Sequence, residues 1–347
     1  MAVTIKEVAK LANTSTAAVS AALNGTRSKS IRVSEATRER IYAAAAQLGY
    51  LSNPVARSLA TGKSKVLGLM LPYVEAFTDH NPFCAQVTNG IMSEMVRRHY
   101  NLMLYTGGAA ADGSHAATLV DSRVDGVILV MPPADSPLFL KCESRHIPYV
   151  SILREQLEGT WSVNADDLEG GRIATAHLAS MGHTRIAHLK GGEGITTTAP
   201  RLAGYRRALM EASLPVDNTL VFDAGFDWRG GYHVAQKMLA MPKPNRPTAF
   251  FAANDLCAEG AMRAIREAGM SIPNDIAIVG YDDTWFATMT QPTLTSVRMP
   301  IDEMGALAVQ MLVDRVEGRI PADPLPVLPV SLTVRASCGS LQPQMSS

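Results

Sequence analysis

Thr4-Ile5-Lys6-Glu7-Val8-Ala9, followed by Ser15-Thr16-Ala17-Ala18-Val19-Ser20-Ala21-Ala22-Leu23-Asn24-Gly25, reads as two short helices joined by a tight turn. Thr4 and Glu7 have capping-box spacing, each side chain satisfying a backbone N–H that the first helical turn leaves open. Ile5, Val8, Ala9 and Ala12 then fall at i, i+3, i+4 and i+7, one apolar face. Asn13-Thr14 makes the turn, and Ser15 is an N-cap. In the second helix Ala18, Val19, Ala22 and Leu23 share the inner face. Thr16, Ala17, Ser20 and Ala21 point outward, and Gly25 stops the helix. Ser34 caps a third helix that runs to Gly49, with Ile41, Ala44, Ala45 and Leu48 inside. Asn53-Pro54-Val55-Ala56-Arg57-Ser58-Leu59 follows as a linker.

Two short helices set at such a turn are built to put the second into a DNA major groove. A plain three-helix bundle without a ligand is the alternative. Charge separates the two. Residues 1–63 hold nine Lys/Arg and three Glu, a net +6, whereas the whole chain has 32 residues of each sign. The remainder therefore carries −6. A basic head on an acidic body favours phosphate at one end only.

At 347 residues and 47% apolar, the chain can bury several cores. It has no run of 18 apolar residues that would span a membrane. Its N-terminus shows no apolar export segment. Cys84, Cys142, Cys257 and Cys338 match no metal or redox spacing and are expected as free thiols in a reducing cytoplasm. No cofactor or metal is expected.

Beyond the linker, strands and helices alternate. The continuous apolar run at 66–72 predicts a parallel strand buried on both faces, and 102–105, 124–130, 149–152, 186–189, 249–252 and 276–280 read as further strands. Val87 to Arg98, Gly170 to Met181, Ala203 to Ala212, Gly231 to Met241 and Ala258 to Gly269 predict helices between them. That alternation predicts doubly wound parallel sheets. Chain crossings between two lobes are expected near Val163, near Pro292 and near Arg319 to Leu328. Pro72-Tyr73-Val74-Glu75 after the first strand cannot cradle a pyrophosphate, and Gly191-Gly192-Glu193-Gly194 alone is weak. No acid, base and nucleophile assemble in the sequence, so catalysis is not expected. His183 and His188 are expected in packing or hydrogen bonding.

The segment resembles the headpiece of the LacI/GalR family of bacterial regulators. The matching residues are Thr4-Ile5-Lys6-Glu7-Val8-Ala9, Val19-Ser20, Leu23-Asn24-Gly25, Val33-Ser34, Thr37-Arg38, Leu48-Gly49-Tyr50, Asn53-Pro54 and Ala56-Arg57-Ser58-Leu59. The likeness continues nearly to the C-terminus. It implies an all-α helix-turn-helix headpiece on an α/β two-lobed, periplasmic-binding-protein-like core. The implied parts are a headpiece at 1–49, a hinge helix or linker at 50–63, a core at 64–342 and a tail at 343–347. Within the core, one lobe covers about 64–163 and 293–322, the other about 164–292 and 323–342.

The resemblance further implies a homodimer on a palindromic operator, controlled allosterically by a small carbohydrate-like effector. The recognition helix Ser15 to Asn24 would enter the major groove, with Thr16, Ala17, Ser20 and Ala21 toward the bases. Thr4, Tyr50 and Asn53 join the DNA-facing set, as do Arg27, Lys29 and Arg32 of the basic turn. Val55, Ala56, Arg57 and Leu59 would lie in the minor groove, Leu59 as a wedge. Arg201, Trp228, Asn254 and Asp282 would touch the effector, with Thr197, Arg154 and the Asn81-Pro82-Phe83 loop beside them. The plainer alternatives are that Trp228 is core, that Arg201 pairs with Asp223 or Asp227, and that Asp255 is a helix N-cap.

Two positions depart from the family. Leu153 stands in Ile152-Leu153-Arg154 where relatives have Asp, and Met299 stands where many have Gln. If both face the pocket, two hydroxyl-binding groups are missing, and the expected effector carries fewer hydroxyls than a hexose, or an apolar substituent on a sugar, with a plain monosaccharide the family-level default. An exported sugar-binding protein for transport and an activator are the alternatives in function.

Overall fold

The computed structural model describes residues 3–24, 33–51, 58, 61–71, 81–105, 123–133, 136–155, 159–320 and 323–339. Gly25, Arg27, Lys29, Arg32, Asn53, Val55, Ala56, Arg57 and Leu59 lie outside the described residues, as does the side chain of Asn24. The chain divides into two compact units. One runs to Val66 and includes Asp125; the other begins at Leu67.

The first unit contains helices α1 (Ile5–Leu11), α2 (Thr16–Asn24) and α3 (Glu35–Leu48). The expected capping box is present: the Thr4 N–H donates to Glu7 Oε2 at 2.7 Å. Asn13 adopts a left-handed φ of 49° in the turn, a conformation its short polar side chain tolerates. Ser15 Oγ accepts from the Ala18 N–H at 3.1 Å, and Ser34 Oγ from the Thr37 N–H at 3.3 Å. Val8, Ala9, Ala12, Val19, Ala22, Ile41, Ala44 and Ala45 form the buried core, with Leu23, Leu48 and Tyr50 packed partly against it. Small residues dominate that core, which lets three short helices sit close.

The second unit carries two six-stranded sheets. Its elements in chain order are β1 (Val66–Met70), α4 (Pro82–Arg98), β2 (Asn101–Tyr105), β3 (Gly126–Val130), α5 (Pro137–Ser144), β4 (Tyr149–Ile152) and β5 (Ser162–Ala165). Then come α6 (Asp167–Ser180), β6 (Ile186–Lys190), α7 (Thr198–Glu211), β7 (Val221–Asp223), α8 (Trp228–Leu239), β8 (Ala249–Ala252), α9 (Asp255–Glu267) and β9 (Ala277–Asp282). The last are β10 (Thr295–Arg298), α10 (Ile301–Val316), β11 (Val327–Leu328) and β12 (Ser331–Thr333). The first sheet has the order β11-β5-β4-β3-β1-β2 and the second β12-β10-β9-β8-β6-β7. The β10–β12 pair is antiparallel; the pairs at the sheet centres are parallel.

Sheet membership corrects two of the expected crossings. β10 pairs with β9, so the chain leaves the second sheet at Met299–Pro300 rather than near Pro292. β11 pairs with β5, so the return comes at Pro329–Val330, after the expected segment 319–328. Both differences share a cause: β10 and β11 are short and carry no long apolar run to mark them. The body helices also start earlier than their apolar periods. α6, α7, α8 and α9 begin at Asp167, Thr198, Trp228 and Asp255, three to five residues ahead of the expected positions. Their first turns are polar because they face the ends of strands. Asn81-Pro82-Phe83, expected as a loop, opens α4 instead: Asn81 Oδ1 accepts from the Cys84 N–H at 3.2 Å, and Pro82 takes the first helical position.

Close helix contacts position the site. A Cβ on Gly204 would meet the Leu168 carbonyl oxygen at 2.0 Å, and one on Gly260 would meet that of Trp228 at 1.8 Å. Glycine there lets α7 approach α6, and α9 approach α8, backbone to backbone. The four cysteines are buried and form no disulfide. Among the described residues no helix is long and apolar enough to cross a membrane, and no cluster of ligating side chains could hold a metal ion.

Candidate functional site

The second sheet ends in a cluster of buried charges. Arg201, on the first turn of α7, is 3% exposed. Its Nε donates to Asp167 Oδ1 at 2.8 Å and its Nη1 to the Ala253 carbonyl at 2.6 Å. The guanidinium lies 3.6 Å above the Tyr281 ring centroid and 5.9 Å from that of Phe226. The Tyr281 hydroxyl donates to the same Asp167 oxygen at 2.9 Å. Burial opposes the charge on Arg201. Asp167, Tyr281 and Asp282 outweigh it and hold the pKa above its usual range. Neither Asp223 nor Asp227 is the partner: Asp223 pairs with Lys190, and Asp227 caps α8.

Asp282 closes β9 with a φ of 101°, and Asp283 follows at 52°. Two successive non-glycine residues in left-handed conformations store strain, a feature that concentrates at binding sites. The strained turn is held from three sides. The Asp283 N–H donates to Ser296 Oγ at 3.1 Å, and the Thr284 N–H donates to Asp255 at 3.0 Å. Asp283 itself accepts from Thr333 and pairs with Arg335, both at 2.6 Å. The Asp282 carboxylate is 6% exposed and makes no hydrogen bond to any described residue. Burial raises its pKa well above the usual value, with Asp255 and Asp167 adding repulsion that Arg201 only partly offsets.

Asn254 is the N-cap of α9, the place expected for Asp255. Its Oδ1 accepts from the Cys257 N–H at 2.9 Å, and its Nδ2 donates to the Phe226 carbonyl at 3.0 Å. Asp255 sits one residue on and takes three hydrogen bonds, from Thr284 N, Thr284 Oγ1 and Ser296 Oγ. Burial nevertheless raises its pKa to about 7. A carboxyl whose pKa is raised on folding binds its proton more tightly in the native state, so stability falls as pH rises from about 4 to about 7. Asp255→Asn is expected to flatten that slope, checked by urea midpoints of both proteins from pH 5 to pH 8.

The remaining expected residues fall in separate places. Thr197 precedes α7, 2% exposed, with its hydroxyl unpartnered among the described residues. Arg154 lies 3.4 Å over the Phe139 ring; its Nε and Nη1 likewise lack hydrogen-bond partners. Phe83, Leu153 and Met299 belong to the main apolar cluster. Trp228 is not core: it is 42% exposed. It shares a groove of about 420 Å³ with Leu256, Glu259, Gly260, Arg263, Trp285 and Phe286. Its near neighbours are Tyr232, Arg229 and Arg263, so the aromatic side chains beside Arg201 are Tyr281 and Phe226 instead. Asp167 and Tyr281 escaped the sequence reading as well. The paired Asp166-Asp167 ahead of a helix was the available signal. His188 is buried between Tyr205 and Phe251, and burial lowers its pKa to about 4, a neutral packing role.

In the first unit Thr16 and Ala17 are exposed and Ser20 and Ala21 half-buried, along one side of α2. Thr4 and Ser15 are exposed and engaged as caps.

Comparison with known proteins finds the same two parts. Residues 4–53 match the model for bacterial regulatory proteins of the lacI family, and residues 175–338 match a periplasmic binding protein-like domain. The HTH-type transcriptional regulator CelR of Thermobifida fusca is 33% identical over 96% of this chain and 98% of its own. The repressor PurR of Escherichia coli O139:H28 is 34% identical over 90% of both chains. Among solved structures, a lac repressor dimer bound to operator and an anti-inducer aligns with a TM-score of 0.83 at 27% identity, covering 97% and 99% of the two chains. A CelR–cellobiose complex aligns at 0.73 and 32% identity, covering 96% and 99%.

Proposed function

The chain belongs to the lacI family of bacterial transcriptional regulators, and on that premise we propose that it represses transcription by binding a palindromic operator under control of a small carbohydrate-like effector. Residues 1–49 act as the headpiece, 50–63 as the hinge, and the body from residue 64 as sensor. The protein acts by binding in the cytoplasm and carries out no chemical step.

The observation that carries the sensor role is the Asp282 carboxylate, nine-tenths buried yet without a hydrogen bond among the described residues. A buried polar group left unpaired is costly, so such a group marks a place where a ligand completes the network. Thr197 Oγ1 and Arg154 Nε and Nη1, fully buried without partners among the described residues, are assigned with it, as are Arg201, Asn254, Trp228 and Phe83. Arg201 and Asn254 then act chiefly by shaping the wall. Exposed Met92 and Val96 on α4 are apolar surface that a second copy would cover.

For DNA, Thr16, Ala17, Ser20 and Ala21 read bases. Thr4, Ser15, Asn24, Arg27, Lys29, Arg32, Tyr50 and Asn53 complete the headpiece contacts, and Val55, Ala56, Arg57 and Leu59 those of the hinge. Alanine cannot donate to guanine, but it packs against a thymine methyl. Selection from random duplexes should return a palindrome with wild-type protein. Ala21→Arg should shift each half-site toward guanine, by about 1–3 kcal/mol of preference. An unchanged selected sequence would remove this face from base reading. A thermal-shift screen with cellobiose, monosaccharides and sugar acids identifies the effector.

A further inference from the structure

We propose that Asp125 is the positioning residue that makes the connection between hinge and sheet stiff. The proposal rests on the operator-binding reading. Five consecutive backbone amides, four ahead of β1 and the fifth its first, are all pinned. The Gly62 N–H donates to the Ser58 carbonyl at 2.8 Å. The Lys63 N–H donates to Thr61 Oγ1 at 3.2 Å. Those of Ser64 and Lys65 donate to Asp125 Oδ1 and Oδ2, at 2.6 and 3.0 Å. The Val66 N–H donates to Ser64 Oγ at 3.1 Å, and that hydroxyl in turn donates to Asp125 Oδ1 at 2.8 Å.

Asp125 thus receives three hydrogen bonds from two residues, and its own N–H donates to the Val66 carbonyl at 2.8 Å. Lys65 has a φ of 56°, an uncommon conformation for lysine that needs outside support. The carboxylate supplies it by holding the amides on both sides of Ser64, while the Ser64 hydroxyl that it also holds takes the Val66 amide on the far side of Lys65. Asp125 is also the residue immediately before β3, and Gly126 of β3 pairs with Leu67 of β1. The turn from the hinge into β1 is therefore locked onto the start of the neighbouring strand.

Stiffness there has a functional consequence. An effector influences a distant site only through an element whose geometry both sites bias. A chain with free amides at residues 62–66 would swivel and absorb a change in the sheet. A chain pinned at each amide passes the change on as a direction.

Hydrogen exchange on the full-length protein tests this. In the wild type the amides of Gly62 to Val66 should be protected. Asp125→Ala should release Ser64 and Lys65 while the β1 and β3 amides stay protected. The same variant should lose about tenfold or more in affinity for the selected operator and bend it less, with the salt dependence unchanged because no phosphate contact is touched. Asp125→Asn, which keeps one acceptor oxygen, should fall between. Should Asp125→Ala fail to fold, Ser64→Ala leaves the strands intact and should release Val66 and weaken operator binding. Wild-type protection at Ser64 and Lys65 in Asp125→Ala overturns the proposal, as does loss of protection with wild-type binding and bending. If the wild type itself selects no operator, the DNA reading fails instead, and the exchange pattern still decides whether Asp125 holds the connector.

Discussion

Arg201→Ala is expected to destabilise the body by about 3–5 kcal/mol, rather than act as a clean loss of ligand. The guanidinium is 3% exposed, paired with Asp167 and stacked on Tyr281. Removing it leaves Asp167 buried, with the Tyr281 hydroxyl as its one remaining side-chain donor among the described residues. It also opens a cavity over the Tyr281 ring and frees the Ala253 carbonyl. Asp282→Asn offers the contrast. That side chain makes no hydrogen bond to give up, and an amide of the same shape costs less than about 1 kcal/mol when no partner is stranded. Urea unfolding of both variants checks the pair. If Arg201→Ala unfolds at the wild-type midpoint, the Asp167 ion pair contributes nothing, and Arg201 returns to being a ligand residue only. Once an effector is in hand, Asp282→Asn should lose the response that Arg201→Ala loses through instability.

Val19→Asp should unfold the headpiece and leave the body intact. Val19 is fully buried in a core of eight small side chains. An unpaired carboxylate there costs several kcal/mol, more than a three-helix unit of this size can lose. Specific operator binding should fall by at least ~10³-fold, the usual gap between specific and non-specific affinity. Because the chain divides at Val66, the thermal transition of the body should stay where it is. Circular dichroism and a calorimetric scan of the full-length variant separate the two events. A single transition shifted downward would show that the two units unfold together and would contradict the division into headpiece and body.

The headpiece was legible from sequence because its determinants are local. The Thr4–Glu7 box, the Asn13 turn, the Ser15 and Ser34 caps and the inward stripe of Val8, Val19 and Ile41 all lie within one or two helical turns of what they control. Central strands were legible for a related reason: a strand covered on both faces must be apolar throughout, so Gly126–Val130 and Ala249–Ala252 announce themselves. Short strands such as Thr295–Arg298 and Val327–Leu328 have no long apolar run, so the lobe crossings beside them are not marked in the sequence.

The site shows the same division. Asp282 stands out as a charged group ending an apolar strand, and the family resemblance points to Arg201 on the first turn of α7. Sequence could not choose the acid that neutralises Arg201, and Asp167 lies 34 residues away, on a helix brought close by Gly171 and Gly204. Nor could it tell that Phe226 stands beside Arg201, while Trp228, two positions on, turns toward Arg263. Local caps and periodicity depend on neighbours in the chain, which the sequence states outright. The partner of a buried charge depends on sheet order, helix approach and side-chain direction, and those exist only once the chain has folded.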